Sequence, residues 1–124
     1  MIVVADEEGA SRDALVALVR RLFAGARVVA VDELEPDLVA READVVLANL
    51  AEAERFCRAR APVGVPVVAL THEMSPDTLL RAETLGIAGA LRTPVSSAVL
   101  AAVLGPIFAR GRRESSTGEE RSVR

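Results

Sequence analysis

Lysine, tryptophan and tyrosine are absent from this chain, and cysteine occurs once. With three Phe as the only aromatic residues, there is almost no π surface on which nucleic-acid bases would stack. Cys57, standing alone, excludes an intrachain disulfide and a cysteine metal cluster, and fits a cytoplasmic location. No apolar run approaches the ~20 residues that span a bilayer, and the N-terminus lacks the basic region and long apolar stretch of a leader. No membrane role is expected. The net charge is −3 and every basic residue is arginine, which disfavours non-specific binding to polyanions outside the C-terminal stretch.

What is present is a chain of 124 residues, the length of one domain that buries roughly two thirds of the surface its unfolded form exposes. Its apolar content comes from Ala, Val and Leu, so an aliphatic core is expected. Apolar runs at 2–5, 27–31, 45–48, 66–70 and 88–91 alternate with amphipathic stretches, which predicts a parallel, doubly wound sheet. In the first amphipathic stretch Leu15, Leu18, Val19, Leu22 and Phe23 share one face, with Gly25 as the expected helix stop. Ser75-Pro76-Asp77 reads as a helix start: Ser as N-cap, Pro at the first helical position, an acid in the first turn. Gly86 is its expected end. The last helix is expected to start at Ser96 or Ser97 and to present Val99, Leu100, Val103, Leu104, Ile107 and Phe108 as a stripe, with a kink or restart at Gly105-Pro106. Residues 1–110 form the expected domain. Residues 111–124, with almost nothing to bury, read as a flexible tail.

The polar residues fall where strands end. Asp44 to Asn49 reads as a buried parallel strand with one polar group at its carboxyl edge, the edge where ligands bind in open α/β sheets. A carboxylate there could attack phosphorus; the Asn49 amide is neutral and a very poor nucleophile. Asp6 and Glu7 follow the first strand, Thr71 ends the fourth, and Thr93-Pro94 follow the fifth.

This set resembles the receiver domain of two-component response regulators, over residues 1 to about 110. The segments 2–8, 67–71 and 89–94 carry the likeness. It implies a flavodoxin-like, CheY-like fold with strand order 2-1-3-4-5. It also implies that Asp6 and Glu7 match the family's metal-holding acidic pair, Asn49 its phospho-accepting Asp, Thr71 its switch hydroxyl, Thr93 its conserved Lys and Ala90 its switch aromatic. The acceptor, the cation and the aromatic are thus all replaced. Phosphoryl transfer depends on positioning and on neutralising spreading charge, so loss of nucleophile and cation together disables it, and no lysine exists to substitute. Arg92 is expected to point away, because neighbouring strand residues alternate faces. The interval from Asn49 to Thr71 is short for the family and lacks its Met-Pro, which implies a cut-back third helix and leading loop. The stretches 68–76, 89–94 and 99–110 further resemble the phosphorylation-independent pseudo-receivers of AmiR-type antitermination regulators, here without the RNA-binding ANTAR part.

Each residue also has a plainer reading. Asn49 is either a polar plug bonded to the backbone around Asp6 and Thr71, or an amide ligand that joins Asp6 and Glu7 around Mg²⁺ or Ca²⁺, cations that favour oxygen; no resident cofactor is expected. His72 reads as a surface or loop histidine, since a catalytic or metal role would need partners that the sequence does not offer beyond the same acids. Cys57 reads as a small, part-buried residue, unless neighbouring arginines lower its pKa. Ser11, Ser96 and Ser97 have no histidine to activate them. Arg112 and Arg113 lie beside glutamates, as a solvated tail does.

The expected function is a non-enzymatic, phosphorylation-independent signalling module. Its partner would be a regulatory protein or a second copy, docking over the fourth helix, fifth strand and fifth helix through Leu100, Leu104, Ile107 and Phe108, since exposed apolar patches mark such sites. The alternatives are a metal- or anion-responsive switch and a regulator of transcription antitermination acting with an RNA-binding partner. Nucleic-acid binding by this chain alone is not expected.

Overall fold

The computed structural model describes residues 1–6, 9–59 and 64–107. In chain order they form β1 (Ile2–Ala5), α1 (Gly9–Leu22), β2 (Val28–Val31), α2 (Pro36–Glu42), β3 (Val45–Asn49), α3 (Leu50–Ala59), β4 (Val67–Thr71), α4 (Pro76–Thr84) and β5 (Gly89–Arg92). A fifth helix, α5, covers residues 97–107. Every expected strand is present, each boundary within one residue of the apolar run that announced it.

The strands pair in parallel in the order β2-β1-β3-β4-β5, as the sequence led one to expect. Strands covered on both faces are apolar throughout rather than alternating, and β1 is buried at all four positions. Successive side chains still go to opposite faces. Ile2, Val4, Val45, Leu47, Val68 and Leu70 join Leu15, Val16 and Val19 of α1 and Leu100 and Leu104 of α5. Val3, Val46, Ala48, Val67 and Ala69 join Val39 of α2, Ala53 and Phe56 of α3 and Ala82 of α4. One layer is therefore α1 and α5, the other α2, α3 and α4. Burying each Val, Leu, Ile or Phe of these layers contributes about 1.5–3 kcal/mol.

The helix ends show where local chemistry decides. Ser75 caps α4, its side chain accepting from the Thr78 amide at 3.2 Å. At the other end Gly86, with φ +76°, lets its own N–H reach Glu83 O at 3.1 Å and the Ile87 N–H reach Ala82 O at 2.9 Å. Those are the paired bonds of a Schellman closure, which needs the left-handed conformation glycine adopts freely. Gly25 does not repeat it. α1 ends earlier, at Leu22, and its last turn is closed by Phe23 N–H to Val19 O and Ala26 N–H to Phe23 O, each 2.9 Å; Gly25 is not among the glycines with positive φ. α2 begins on Pro36 and Asp37 without a side-chain cap from Glu35.

α5 starts after Ser96, whose hydroxyl accepts from the Val99 amide at 3.2 Å, and remains helical through Gly105-Pro106 to residue 107. No restart occurs there. Leu100 and Leu104 are both fully buried in the α1/α5 layer. This corrects the expectation that they anchor a partner: an apolar stripe on a surface helix points inward, onto the sheet. Ile107 also packs against that core, partly buried. Phe108, Glu7 and the expected tail, with Arg112 and Arg113, lie outside the described residues. Among the described residues no helix is long and apolar enough to cross a membrane.

Candidate functional site

Parallel strands bring their carboxyl ends to one rim. Asp6, Asn49, Thr71 and Thr93 meet there and line a cleft of about 230 Å³ together with Ser11, Ala51, Leu70 and His72. A neighbouring cavity of about 360 Å³ shares Asp6, Ser11, His72 and Thr93, and continues over Leu15 and Leu18 of α1 towards Pro94 and Val95.

Asn49 is the last residue of β3, and α3 begins at Leu50 with no residue between. Its Oδ1 accepts the Glu52 amide at 2.9 Å, so the side chain caps α3, satisfying one of the donors that a helix N-terminus leaves open. The plug expected at this position therefore bonds to the helix it starts, not to the backbone around Asp6 and Thr71. The short β3 to α3 interval inferred from the sequence is complete: the leading loop is gone. One lone pair of the amide oxygen is committed to the cap, which weakens the amide as a metal ligand.

The Thr71 hydroxyl is engaged locally, donating to Glu73 O at 2.9 Å and accepting the Glu73 amide at 3.3 Å. Thr93 bridges the rim. Its Oγ1 lies 3.3 Å from Thr71 O, to which it donates, and 3.0 Å from His72 Nδ1. A hydroxyl carries one proton, so while Thr93 donates to Thr71 the imidazole must carry a hydrogen on Nδ1. The backbone pairs as well, Thr93 N–H to Thr71 O at 2.8 Å. The position that the resemblance aligns with a lysine thus ties β5 to β4. His72 and Arg92 are exposed, as expected.

Asp6 supplies a carboxylate to the cleft, and Arg12 from α1 bonds to its backbone carbonyl at 3.3 Å while pairing with Asp32 at 2.6 Å. Among the described residues no group of three His, Cys, Asp or Glu is placed to hold a metal ion. The described donors to a hard cation are one carboxylate and one partly committed amide oxygen; the second carboxylate of the expected set, Glu7, is outside the described residues. Among the described residues this set does not complete a metal site.

Two acids that the sequence reading passed over are buried on α3. Glu52 accepts the Leu34 amide at 3.0 Å and is gripped by Arg55 through Nε and, at 2.9 Å, Nη2. The Arg55 hydrogen bond, helped by the Leu34 amide and opposed by burial, holds the Glu52 pKa below its usual value. Glu54 faces the other way and receives Arg81 of α4 at 2.6 Å, with Arg58 at 3.6 Å; its Oε1 is buried without a hydrogen bond. A glutamate two residues from another on a helix reads as solvated, and only the arginines at 55 and 81 could have signalled otherwise. On the same helix burial pushes the Cys57 thiol pKa up, against the lowering by arginine that the sequence left open.

A five-stranded parallel sheet of order 2-1-3-4-5, helices on both faces and a polar cleft at the carboxyl rim define the CheY-like receiver fold. The comparisons agree. A receiver domain of a sensor histidine kinase from Pseudomonas aeruginosa, solved with magnesium in its active-site cleft, superposes with a TM-score of 0.69 at 22% identity over 87% of this chain and 96% of that one. A chemotaxis protein of Vibrio cholerae gives 0.69 at 16% identity, over 86% and 96% of the two chains. A pilus assembly-related protein of Burkholderia pseudomallei gives 0.73 at 24% identity, over 87% and 88%. No protein-family model and no curated protein sequence matches the chain.

Proposed function

We propose that the chain is a receiver-fold interaction module of two-component type that signals by docking and forms no acyl phosphate. The observation that carries this reading is the Asn49 side chain, an amide that stands at the acceptor position suggested by the resemblance and is engaged in capping α3. Thr93, bonded to Thr71 and His72, supplies no cation in its place, and the chain contains no lysine. The docking surface is the face of α4, β5 and α5. Among the described residues its exposed large apolar side chains are Leu79, Leu80 and Val99, with Met74 in the loop before α4; they replace Leu100 and Leu104 as anchors. The finer likeness to AmiR-type pseudo-receivers is carried by the sequence stretches 68–76, 89–94 and 99–110, and supports a protein rather than a phosphoryl input.

The test is intact mass after incubation with acetyl phosphate and Mg²⁺, followed in parallel by amide chemical shifts around Asn49. An unchanged mass and unmoved amides are expected. A phosphoryl adduct on an acid of the cleft would overturn the proposal, and saturable shifts with metal alone would favour the metal-responsive switch.

A second reading follows from the pilus assembly-related protein that shares the fold: the docking partner belongs to pilus assembly. It leaves the mechanism unchanged and is tested by crosslinking in native cells, where recovery of pilus-assembly components supports it and recovery of a transcription regulator opposes it.

A further inference from the structure

The fourth helix is inside out. Of its nine residues, α4 buries Thr78 and Ala82, while Leu79 and Leu80 are 49% and 62% exposed. A surface helix ordinarily turns its large apolar residues to the core, and here the core side is small or polar while the leucines face out. Pro76, Leu79, Leu80 and Glu83 fall at i, i+3, i+4 and i+7, the spacing that lines one face of a helix. Met74, 37% exposed, precedes them in the loop.

The charges around these leucines have one sign. On the helix surface Leu80 has Asp77 three residues before it and Glu83 three after, and Leu79 has Glu83 four after; Glu73 adds an acid beside Met74. All three acids are exposed, and none forms an ion pair among the described residues. The one cation of α4, Arg81, sits on the helix flank towards α3 and is spent on the buried Glu54 carboxylate at 2.6 Å. An exposed leucine pair rimmed by uncompensated carboxylates is complementary to an apolar stripe rimmed by cations. Apolar contact supplies affinity, and charge selects the partner and its orientation.

From this we infer that the outward face of α4 binds a basic amphipathic helix, a segment of another protein with leucine-type residues on one face and lysine or arginine beside them. The inference rests on the reading of the chain as a docking module and names the partner's chemistry. A module that docks through α5 alone would leave that reading intact and remove this one. A second copy that paired α4 with α4 would set acid against acid, which is repulsive.

The experiment uses two designed peptides of equal length and helicity, with leucines at i, i+3, i+4 and i+7 and either lysine or glutamate at the flanking positions, titrated into the full chain while amide shifts are followed. The lysine peptide is expected to saturate with shifts confined to residues 73–84, and to weaken as salt rises. Leu80→Ala should weaken it by about tenfold or more, the effect of truncating an interface anchor. Glu83→Arg, favourable for the last turn of a helix, should weaken the lysine peptide and admit the glutamate peptide, a reversal that loss of folding would not produce. Equal binding of both peptides, no binding of the lysine peptide, or shifts outside α4 would overturn the proposal. So would a concentration-dependent dimer abolished by Leu80→Glu, which would make a second copy the occupant.

Discussion

Arg81 of α4 donates through Nη2 to the buried Glu54 carboxylate of α3 at 2.6 Å, and it is the charged link between these two helices among the described residues. The two ends are unequal. Glu54 is almost wholly enclosed, and its other oxygen is buried without a partner, whereas the arginine is about half exposed. Truncating the arginine leaves a buried carboxylate short of its main donor; replacing the glutamate with an apolar residue of like size leaves only two solvated arginines, Arg81 and Arg58. Arg81→Ala should therefore lower stability by about 1–3 kcal/mol, and Glu54→Leu by less. Urea midpoints of the two variants at neutral pH check the order; Glu54→Leu as the more damaging change would refute it.

Asn49 gives a prediction in which stability and chemistry part company. Asn49→Ala removes the cap on α3 and should cost about 1 kcal/mol. Asn49→Asp keeps an oxygen acceptor for the Glu52 amide and adds a negative charge at a helix N-terminus, so stability should be equal or higher. That variant should nonetheless show no change in oligomer size on adding acetyl phosphate with Mg²⁺, because the positions that the resemblance aligns with a receiver's cation and aromatic hold Thr93 and Ala90. Light scattering with and without the phosphodonor reads the outcome.

Glu52 makes folding sensitive to acid in a stated direction. Its folded pKa lies below the ordinary carboxylate value, so the stabilisation it supplies is fully present above the unfolded range of about 4–5 and disappears as pH falls through the lowered folded value. Glu52→Gln cannot lose a charge it does not carry. The stability gap between the two proteins, measured by urea denaturation from pH 7 down to 3, should narrow on the acid side; a constant gap would show that the Arg55 pair contributes nothing.

Cys57 should be a sluggish thiol. Burial raises its pKa, and only the thiolate reacts, so alkylation at pH 8 should run slower in the native protein than in the urea-unfolded chain. A native rate equal to or above the unfolded one would show that the neighbouring arginines activate the thiol.

The sheet was legible because strands buried on both faces leave short β-branched runs that little else produces, and Val45 to Ala48 and Val67 to Leu70 are such runs. Ser75-Pro76 and Gly86 were legible because capping is local chemistry. Gly25 misled because a helix can close on backbone bonds of Phe23 and Ala26 without a left-handed residue. The cleft's membership followed from strand ends, but not its bonds: nothing in the order of residues says that Asn49 turns to Glu52 or that Thr93 reaches back to Thr71. The inward Leu100 and Leu104 and the outward Leu79 and Leu80 are alike as letters, and only packing tells them apart. The buried glutamates were invisible for the same reason: Arg55 on the same helix and Arg81 of α4 mark them as paired only once α3 is packed.

The seamless joint between β3 and α3 has a mechanical consequence. With no spacer at Asn49 to absorb a twist, α3 is geared to the middle strand of the sheet and can shift only if that strand shifts too. α4 is held by two modest side chains and one charged tether to its neighbour, so it can yield at less cost than α3 when something presses on the layer.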